Sequence, residues 1–174
     1  MHYDVKNLTH QIWSNGIKNY KENLDYLRGL FIIKNLLDTK DHYTYIHSVH
    51  VSRYAYLIGR ELKLSEKELQ ELYLTALLHD IGKSEIPTDI LLKNDHLTQQ
   101  EYIEVKKHVF FGAEIVKDYK IYENLSQNIL YHHERWDGEG YPLGLKGKEI
   151  PLISRIVNLA DSFDAMTTVR PYKA

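Results

Sequence analysis

Apolar residues recur at helical spacing along most of this chain, and this periodicity constrains the fold more than any other feature of the sequence. In the stretch Tyr43–Leu62, the residues His47, Val51, Tyr54 and Ile58 fall on one stripe. No stretch of the sequence shows the alternation of polar and apolar residues that is typical of a strand. The sequence therefore predicts an all-α fold.

Two capping boxes mark the starts of helices. Ser65–Glu68 and Thr98–Glu101 both have the Ser/Thr-x-x-Glu spacing, in which each side chain caps the backbone N–H of the other residue. We expect the first helix to run into His79 and to end at Gly82. We expect the second helix to continue through His108 as far as position 115 or 116.

Further signals describe the rest of the chain. Leu125–His133 is predicted to be helical, and a polar, glycine-rich loop then extends to Gly147. Pro151 is placed at the start of a last amphipathic helix. We expect residues 1–40 to form an N-terminal helical segment, followed by a single domain over residues 41–174.

The composition excludes several classes of protein. At 174 residues the chain has the size of one domain, and its 43% hydrophobic and 26% charged residues are ordinary for a globular protein. A net charge of −2 argues against duplex nucleic acid or an anionic membrane as a partner. The absence of cysteine excludes thiolate metal sites, and no apolar run approaches the ~18–20 residues of a membrane span. We therefore expect a cytoplasmic protein.

Side chains suited to binding metal ions are spread over the last two thirds of the chain, in helix-like contexts. The candidates are His47, His79, Asp80, His108, His132, His133 and Asp161. Imidazole and carboxylate groups suit Mn, Fe, Zn and similar ions, and these seven groups are enough to hold two ions. Such a site indicates hydrolysis of a phosphate ester.

All of these candidates except Asp161 also have an ordinary structural explanation. The pairs His79-Asp80 and His132-His133 are typical of helix termini, where histidine interacts favourably with the helix dipole. His47 and His108, taken alone, are more typical of satisfied helix histidines than of ligands. However, adjacent histidines, and a lone carboxylate such as Asp161 in an apolar stretch, are costly to bury without partners. This cost favours the metal-site hypothesis.

The candidates lie in ordered motifs, and these motifs resemble a known family. The matching stretches are 41–48, 79–87, 108–114, 132–142, 155–167 and 170–173. They include His79-Asp80-Ile81-Gly82-Lys83 and the signature Gly140-Tyr141-Pro142. Together they resemble the HD-GYP family, a branch of the HD-domain metal-dependent phosphohydrolases. The resemblance covers residues 41–174 and implies a helical bundle around a central metal site.

The resemblance also implies two sets of ligands. The set for one ion is His47, His79, Asp80 and Asp161. The set for the other ion is His108, His132 and His133, with Asp80 as the bridge between the two. Iron or manganese is the implied metal, and ligand softness also allows Zn, Co or Ni. Some members of the family hold a third ion with a glutamate one helical turn before the histidine that matches His47. Tyr43 occupies that position here, so we expect a binuclear site.

Hydrolysis of cyclic di-GMP is the activity that the resemblance implies. Two ions about 3.5–4 Å apart can share and activate a hydroxide. Asp80 and Lys83 are the implied catalytic residues, and Asp164 is expected to orient a ligand histidine. The implied substrate-binding residues are Lys83, Tyr141, Arg170 and Lys173. With two ions, we expect linear pGpG to accumulate before GMP is formed.

Several alternatives stay open at this point. The chain could instead hydrolyse a nucleotide or another cyclic dinucleotide, act as a weakly active signalling module that binds a ligand or a partner, or be a plain helical scaffold. Domains of this family usually continue beyond the Arg170-Pro171-Tyr172 motif, whereas this chain ends at Ala174. We therefore expect either a domain that is truncated at its C-terminal end or a homodimer that supplies the missing surface.

Overall fold

The computed structural model describes residues 42–93, 95–117 and 124–168. The expected N-terminal segment, and the candidate substrate-binding residues Arg170 and Lys173, lie outside these ranges. Within the described ranges all regular structure is helical, which confirms the predicted all-α class.

Seven α-helices and two short 3₁₀ helices make up the described part of the chain. The α-helices are α1 (His42–Glu61), α2 (Glu66–Leu78), α3 (Thr88–Leu91), α4 (Gln99–Lys106), α5 (His108–Lys117), α6 (Leu125–Leu130) and α7 (Leu152–Thr167). The 3₁₀ helices are Ile81–Glu85 and Gly147–Glu149.

Helix α2 lies at the centre of the bundle, between two clusters of buried apolar side chains. One cluster joins α2 to α5 and α6 and consists of Tyr73, Leu74, Leu77, Leu78, Ile81, Val116, Leu125 and Ile129. The other joins α2 to α1 and α7 and consists of Val51, Ala55, Leu72, Ala76, Ile156, Val157 and Ala160. Full burial of a leucine or isoleucine stabilises the fold by about 1.5–3 kcal/mol. The two clusters therefore fix the C-terminal end of α2 inside the bundle.

The capping boxes form as predicted. Ser65 Oγ accepts from the N–H of Glu68 at 3.4 Å, and Glu68 Oε2 accepts from the N–H of Ser65 at 2.8 Å. The Thr98–Glu101 box forms in the same way. Both predictions are confirmed, because a capping box depends only on residues three positions apart.

The prediction for Gly82 is wrong. Helix α2 ends at Leu78, and Gly82 lies within the 3₁₀ helix that follows. A Cβ atom at Gly82 would lie 2.0 Å from the carbonyl oxygen of His108 and 2.4 Å from the backbone nitrogen of Gly112. Glycine is therefore needed here so that the 3₁₀ helix can pack closely against α5.

Two predicted helix boundaries also differ from the structure. The helix predicted to run through His108 is divided into α4 and α5, which meet at Lys107. Helix α6 ends at Leu130, so that His132 and His133 lie in the turn that follows it. Both changes place candidate ligands at helix ends rather than on helix faces.

Candidate metal centre

The structure brings all seven predicted ligands together at the centre of the bundle. Two groups of side chains each place their ligand atoms within 4.8 Å of one another. The first group, which we call the histidine-rich set, is Asp80, His108, His132 and His133. The second is His47, His79 and Asp80. Asp161 adjoins this second group, because its Oδ1 lies 3.0 Å from His47 Nε2. We call His47, His79, Asp80 and Asp161 the carboxylate-rich set. Asp80 thus belongs to both sets.

Three of the histidines are oriented by the backbone of their own helix end. In each, Nδ1 donates to the carbonyl oxygen three residues earlier. The pairs are His79 with Ala76 at 2.7 Å, His108 with Val105 at 2.7 Å and His132 with Ile129 at 2.6 Å. Because a carbonyl oxygen only accepts, Nδ1 must carry the proton in these histidines. In the neutral form of each ring, Nε2 then has a lone pair that a metal ion can take.

His47 is oriented differently, by a carboxylate from another helix. It lies in the interior of α1, and its Nδ1 is 2.7 Å from Asp164 Oδ2 on α7. Asp164 is fully buried, and its Oδ1 also accepts from Thr168 Oγ1 at 3.0 Å and lies 3.2 Å from His50 Nδ1. A carboxylate behind a ligand histidine fixes the orientation of the ring and raises its basicity. The sequence-based expectation for Asp164 therefore agrees with this geometry.

An unsatisfied buried atom tests whether these residues fit a metal ion. His79 is fully buried, and its Nε2 has no hydrogen-bond partner among the residues that the structure describes. Asp80 Oδ2 lies 3.3 Å away, but not in hydrogen-bond geometry. Leaving such an atom unpaired costs about 1–3 kcal/mol. A divalent cation between His79 and Asp80 would satisfy it, and a buried set of nitrogen and oxygen donors suits Mn, Fe, Zn and similar ions.

The histidine-rich set is held in the neutral form that metal binding requires. Burial is the main cause: it lowers the pKa of His108 to about 4 and the pKa of His133 to about 3. Burial and the neighbouring histidines lower the pKa of His132 well below its usual range. At neutral pH these rings are neutral, and each has one nitrogen without a proton, so a metal ion can bind there without displacing one.

The carboxylate-rich set favours positive charge instead. Burial opposes the ionised form of Asp80 most strongly, but Lys83 and the nearby histidines outweigh it and keep its pKa well below the usual range. Burial likewise opposes ionisation of Asp161, but the hydrogen bond with His47 lowers its pKa to about 2. Burial opposes the cationic form of His79, but Asp80 and Asp161 together raise its pKa. Two ionised carboxylates thus create a buried site that attracts a cation.

Similarity to known proteins identifies the family. Residues 32–174 match the family model described as the HD domain. The chain belongs to the HD-domain family. The resemblance to its HD-GYP branch, inferred from the motifs, is confirmed.

Curated relatives of this HD domain are cyclic dinucleotide phosphodiesterases. The chain is 42% identical over 157 residues to a cyclic di-GMP phosphodiesterase from Thermotoga maritima, a match that covers 88% of this chain and 43% of the relative. It is 34% identical over 182 residues to the 3'3'-cGAMP-specific phosphodiesterase 1 of Vibrio cholerae, a match that covers 99% of this chain and 40% of the relative. The chain therefore spans less than half the length of these relatives.

A solved structure shows the same fold. An HDG"Y"P protein from Bdellovibrio bacteriovorus aligns with a TM-score of 0.64 and 24% identity, over 92% of this chain and 57% of that protein.

Within the described part of this HD domain, none of the helices has the length and apolar character to cross a membrane.

Two of the predicted substrate-binding residues border the metal centre of the HD domain. The Lys83 ammonium forms a salt bridge with Asp80, with 2.6 Å between Nζ and Oδ2. The Tyr141 ring stacks on the ring of His133, with 4.9 Å between centroids and 29° between planes. Burial raises the pKa of the Tyr141 phenol well above its usual range, so the hydroxyl stays a hydrogen-bond donor. A cation beside the shared Asp80 and a neutral hydrogen-bond donor beside His133 therefore border the same centre.

Sequence reasoning missed the residue that holds the glycine-rich loop in place. Glu134 is buried, and its carboxylate accepts from the backbone N–H groups of Leu143 at 2.6 Å, Gly144 at 3.1 Å and Leu145 at 2.9 Å. The sequence did contain a signal for this role: a carboxylate directly precedes a glycine-rich loop. Many backbone N–H groups in such a loop lack helical partners. Glu134 thus holds the segment that directly follows Tyr141, whose ring stacks on His133.

Proposed function

We propose that this HD domain is a metal-dependent phosphodiesterase that hydrolyses cyclic di-GMP. The observation that carries the proposal is that one buried carboxylate, Asp80, is shared by two sets of ligand atoms. Shared carboxylates are typical of two-metal sites that cleave phosphate esters. The names of the curated relatives support a cyclic dinucleotide as the class of substrate.

Two divalent ions are proposed for this site. The carboxylate-rich set would hold one ion and the histidine-rich set the other, with Asp80 between them. When bound, such ions supply Lewis acidity, activate water and offset charge on the phosphoryl oxygens. We propose Fe or Mn, and the nitrogen and oxygen donors also accommodate Zn, Co or Ni. Tyr43 in place of a glutamate supports two ions rather than three.

The residues around the ions would bind and orient the substrate. Lys83 places an ammonium 2.6 Å from Asp80, where it offers positive charge to a phosphate that approaches the shared carboxylate. Tyr141 offers a hydroxyl donor or a stacking surface beside His133. Arg170 and Lys173 are proposed as phosphate-binding cations from the motif that contains them; an arginine can bind a phosphate through two parallel N–H bonds.

A direct assay tests the proposal. The protein is loaded with Fe or Mn under reducing conditions and incubated with cyclic di-GMP, and the products are separated by chromatography. We expect turnover, with linear pGpG accumulating before GMP. His79→Ala and Asp80→Ala should each reduce turnover about a thousandfold. Each substitution removes a ligand of the proposed metal ions, which would stabilise negative charge on the phosphoryl group.

A matched control uses a carboxylate outside the site. Asp89 is exposed in α3, and Asp89→Asn should leave turnover unchanged. Metal-loaded protein that binds cyclic di-GMP but does not cleave it would contradict the proposal and favour a signalling module without activity.

A second substrate is favoured by one specific comparison. The relative from Vibrio cholerae acts on 3'3'-cGAMP and shares 34% identity with this chain. Measuring kcat/KM for both dinucleotides with the same preparation decides between them, and we expect the higher value for cyclic di-GMP. The expectations of a cytoplasmic location, of a homodimer, and of no membrane or duplex nucleic-acid partner stay predictions.

A further inference from the structure

Lys106 lies between two aromatic rings at the edge of the metal centre. Its Nζ is 4.6 Å from the ring centroid of Tyr102 and 4.8 Å from that of Tyr141. Within the described ranges, no carboxylate oxygen lies within 4.0 Å of this ammonium. The adjacent Lys107, by contrast, forms a close ion pair with Glu104. Among the described residues, the partners of the Lys106 ammonium are therefore two ring faces and not an acidic group.

The position of Lys106 connects it to the histidine-rich set. The Tyr141 ring that it contacts stacks on His133, with 4.9 Å between centroids. The His133 ring in turn lies 5.1 Å from the ring of His108. Lys106 is only partly buried, so that solvent and a ligand can reach it. The ammonium is thus placed beside the metal centre rather than within it.

One of the two rings lies on a loop that is held in place before any ligand binds. Tyr102 lies on α4, four residues before Lys106, and the two side chains therefore share one face of the helix. Tyr141 comes from the glycine-rich loop, which the buried carboxylate of Glu134 holds through three backbone N–H groups. An ammonium placed in this way loses little further freedom when it binds an anion.

The chemistry of the substrate matches this cation. A cyclic dinucleotide carries two phosphodiester groups, and the metal centre acts on one of them at a time. The ammonium has three N–H donors and contacts two ring faces, so at least one donor stays available for an anion. We propose that Lys106 binds the phosphodiester that is not being cleaved and so contributes to selectivity for dinucleotides. This inference rests on the proposed function.

The test compares substrates that have one and two phosphodiester groups. Lys106→Met removes the charge and keeps the length of the side chain, and Lys107→Met is the matched control. With cyclic di-GMP, Lys106→Met should raise KM about tenfold and change kcat less than about twofold, because one contact with a charged group is lost. With bis(p-nitrophenyl) phosphate, which has a single phosphodiester, both variants should match the wild type. Metal content should be the same in all three proteins.

The outcomes separate this inference from the proposed function. Equal KM values for Lys106→Met and Lys107→Met, with a wild type that cleaves cyclic di-GMP, would overturn the role of Lys106 alone. If Lys106→Met lost the same fraction of its activity on both substrates, the proposal would also be overturned, because Lys106 would then act through the metal centre. A wild type that cleaves bis(p-nitrophenyl) phosphate but not cyclic di-GMP would overturn the proposed function and this inference with it.

Discussion

The histidines at the ends of helices and the histidine in the interior of a helix are positioned in two different ways. His79, His108 and His132 each lie at a helix end and donate Nδ1–H to a carbonyl oxygen three residues earlier. His47 lies within α1, where the backbone carbonyls are occupied by the helix itself, and depends on Asp164 from α7. The first group is oriented by local backbone, and the second by a contact between residues 117 positions apart.

This difference shows which parts of the site depend on the packing of the bundle. The bonds of the helix-end histidines to carbonyl oxygens three residues earlier are local in the sequence, so they do not require contact with a second carboxylate-bearing helix. The bond between His47 and Asp164 needs α1 and α7 to be packed together. The carboxylate-rich set should therefore be more sensitive than the histidine-rich set to changes on α7.

The largest expected effect separates the two sets by metal content. His132→Ala removes a ligand of the histidine-rich set, and His47→Ala removes one of the carboxylate-rich set. Each variant should retain about one divalent ion per chain and lose activity about a thousandfold, because two-metal catalysis needs both ions. Metal analysis after dialysis measures the number of ions that each variant retains. His96→Ala, at an exposed position, is the control. Loss of both ions from either variant would show that the two sets do not bind separately.

Removing the carboxylate behind His47 tests the dependence on α7. Asp164→Asn should weaken binding in the carboxylate-rich set about 10–100-fold, because His47 loses the charged acceptor that orients it. Competition with a chelator measures the affinity of each ion, and binding in the histidine-rich set should not change. Asp89→Asn serves as the control. If both ions bound more weakly by the same factor, the proposed difference between the helix-end histidines and His47 would be wrong.

The close contact at Gly82 tests the positioning of His108. In Gly82→Ala, the new Cβ would meet the backbone of His108 and Gly112, which cannot move aside as a side chain can. We expect the free energy of unfolding to fall by about 3 kcal/mol. Gly59→Ala is the control: its Cβ would meet the side-chain ends of Leu72 and Leu69, so the expected cost is only about 1 kcal/mol. Urea unfolding of both variants measures the difference, and equal values would contradict the account.

The smallest expected effect concerns the glycine-rich loop. Glu134→Gln replaces a charged acceptor of three backbone N–H groups with a neutral one, which should destabilise the loop by about 2 kcal/mol. Hydrogen exchange at residues 143–145 should become faster, while exchange in α2 stays the same. Glu139→Gln, at an exposed position, is the control. Unchanged exchange at these residues would show that Glu134 does not hold the loop.

Local features of the fold were predictable from the sequence. The capping boxes at Ser65 and Thr98 depend on residues within one turn, and both form. The boundary at Lys107 and the position of Gly82 were mispredicted because they depend on how the 3₁₀ helix packs against α5. Periodicity in a sequence carries no information about such contacts between distant segments.

The candidate site shows the same division. The sequence motifs group the ligands into the two sets that the structure brings together, with Asp80 in both. Glu134 and Lys106 were missed, because the contacts of Glu134 with the glycine-rich loop and of Lys106 with the Tyr141 ring exist only in the folded chain. The grouping of the motif side chains was therefore predictable, whereas the groups around them needed the structure.

The central claim is that Asp80 is shared by two metal-binding sets, and metal analysis of the purified protein tests it most directly. Wild-type protein loaded with Fe or Mn and then dialysed should contain about two divalent ions per chain. Asp80→Ala should retain neither ion, because both sets lose a ligand. Three ions per chain in the wild type, or one tightly bound ion left in Asp80→Ala, would contradict the account.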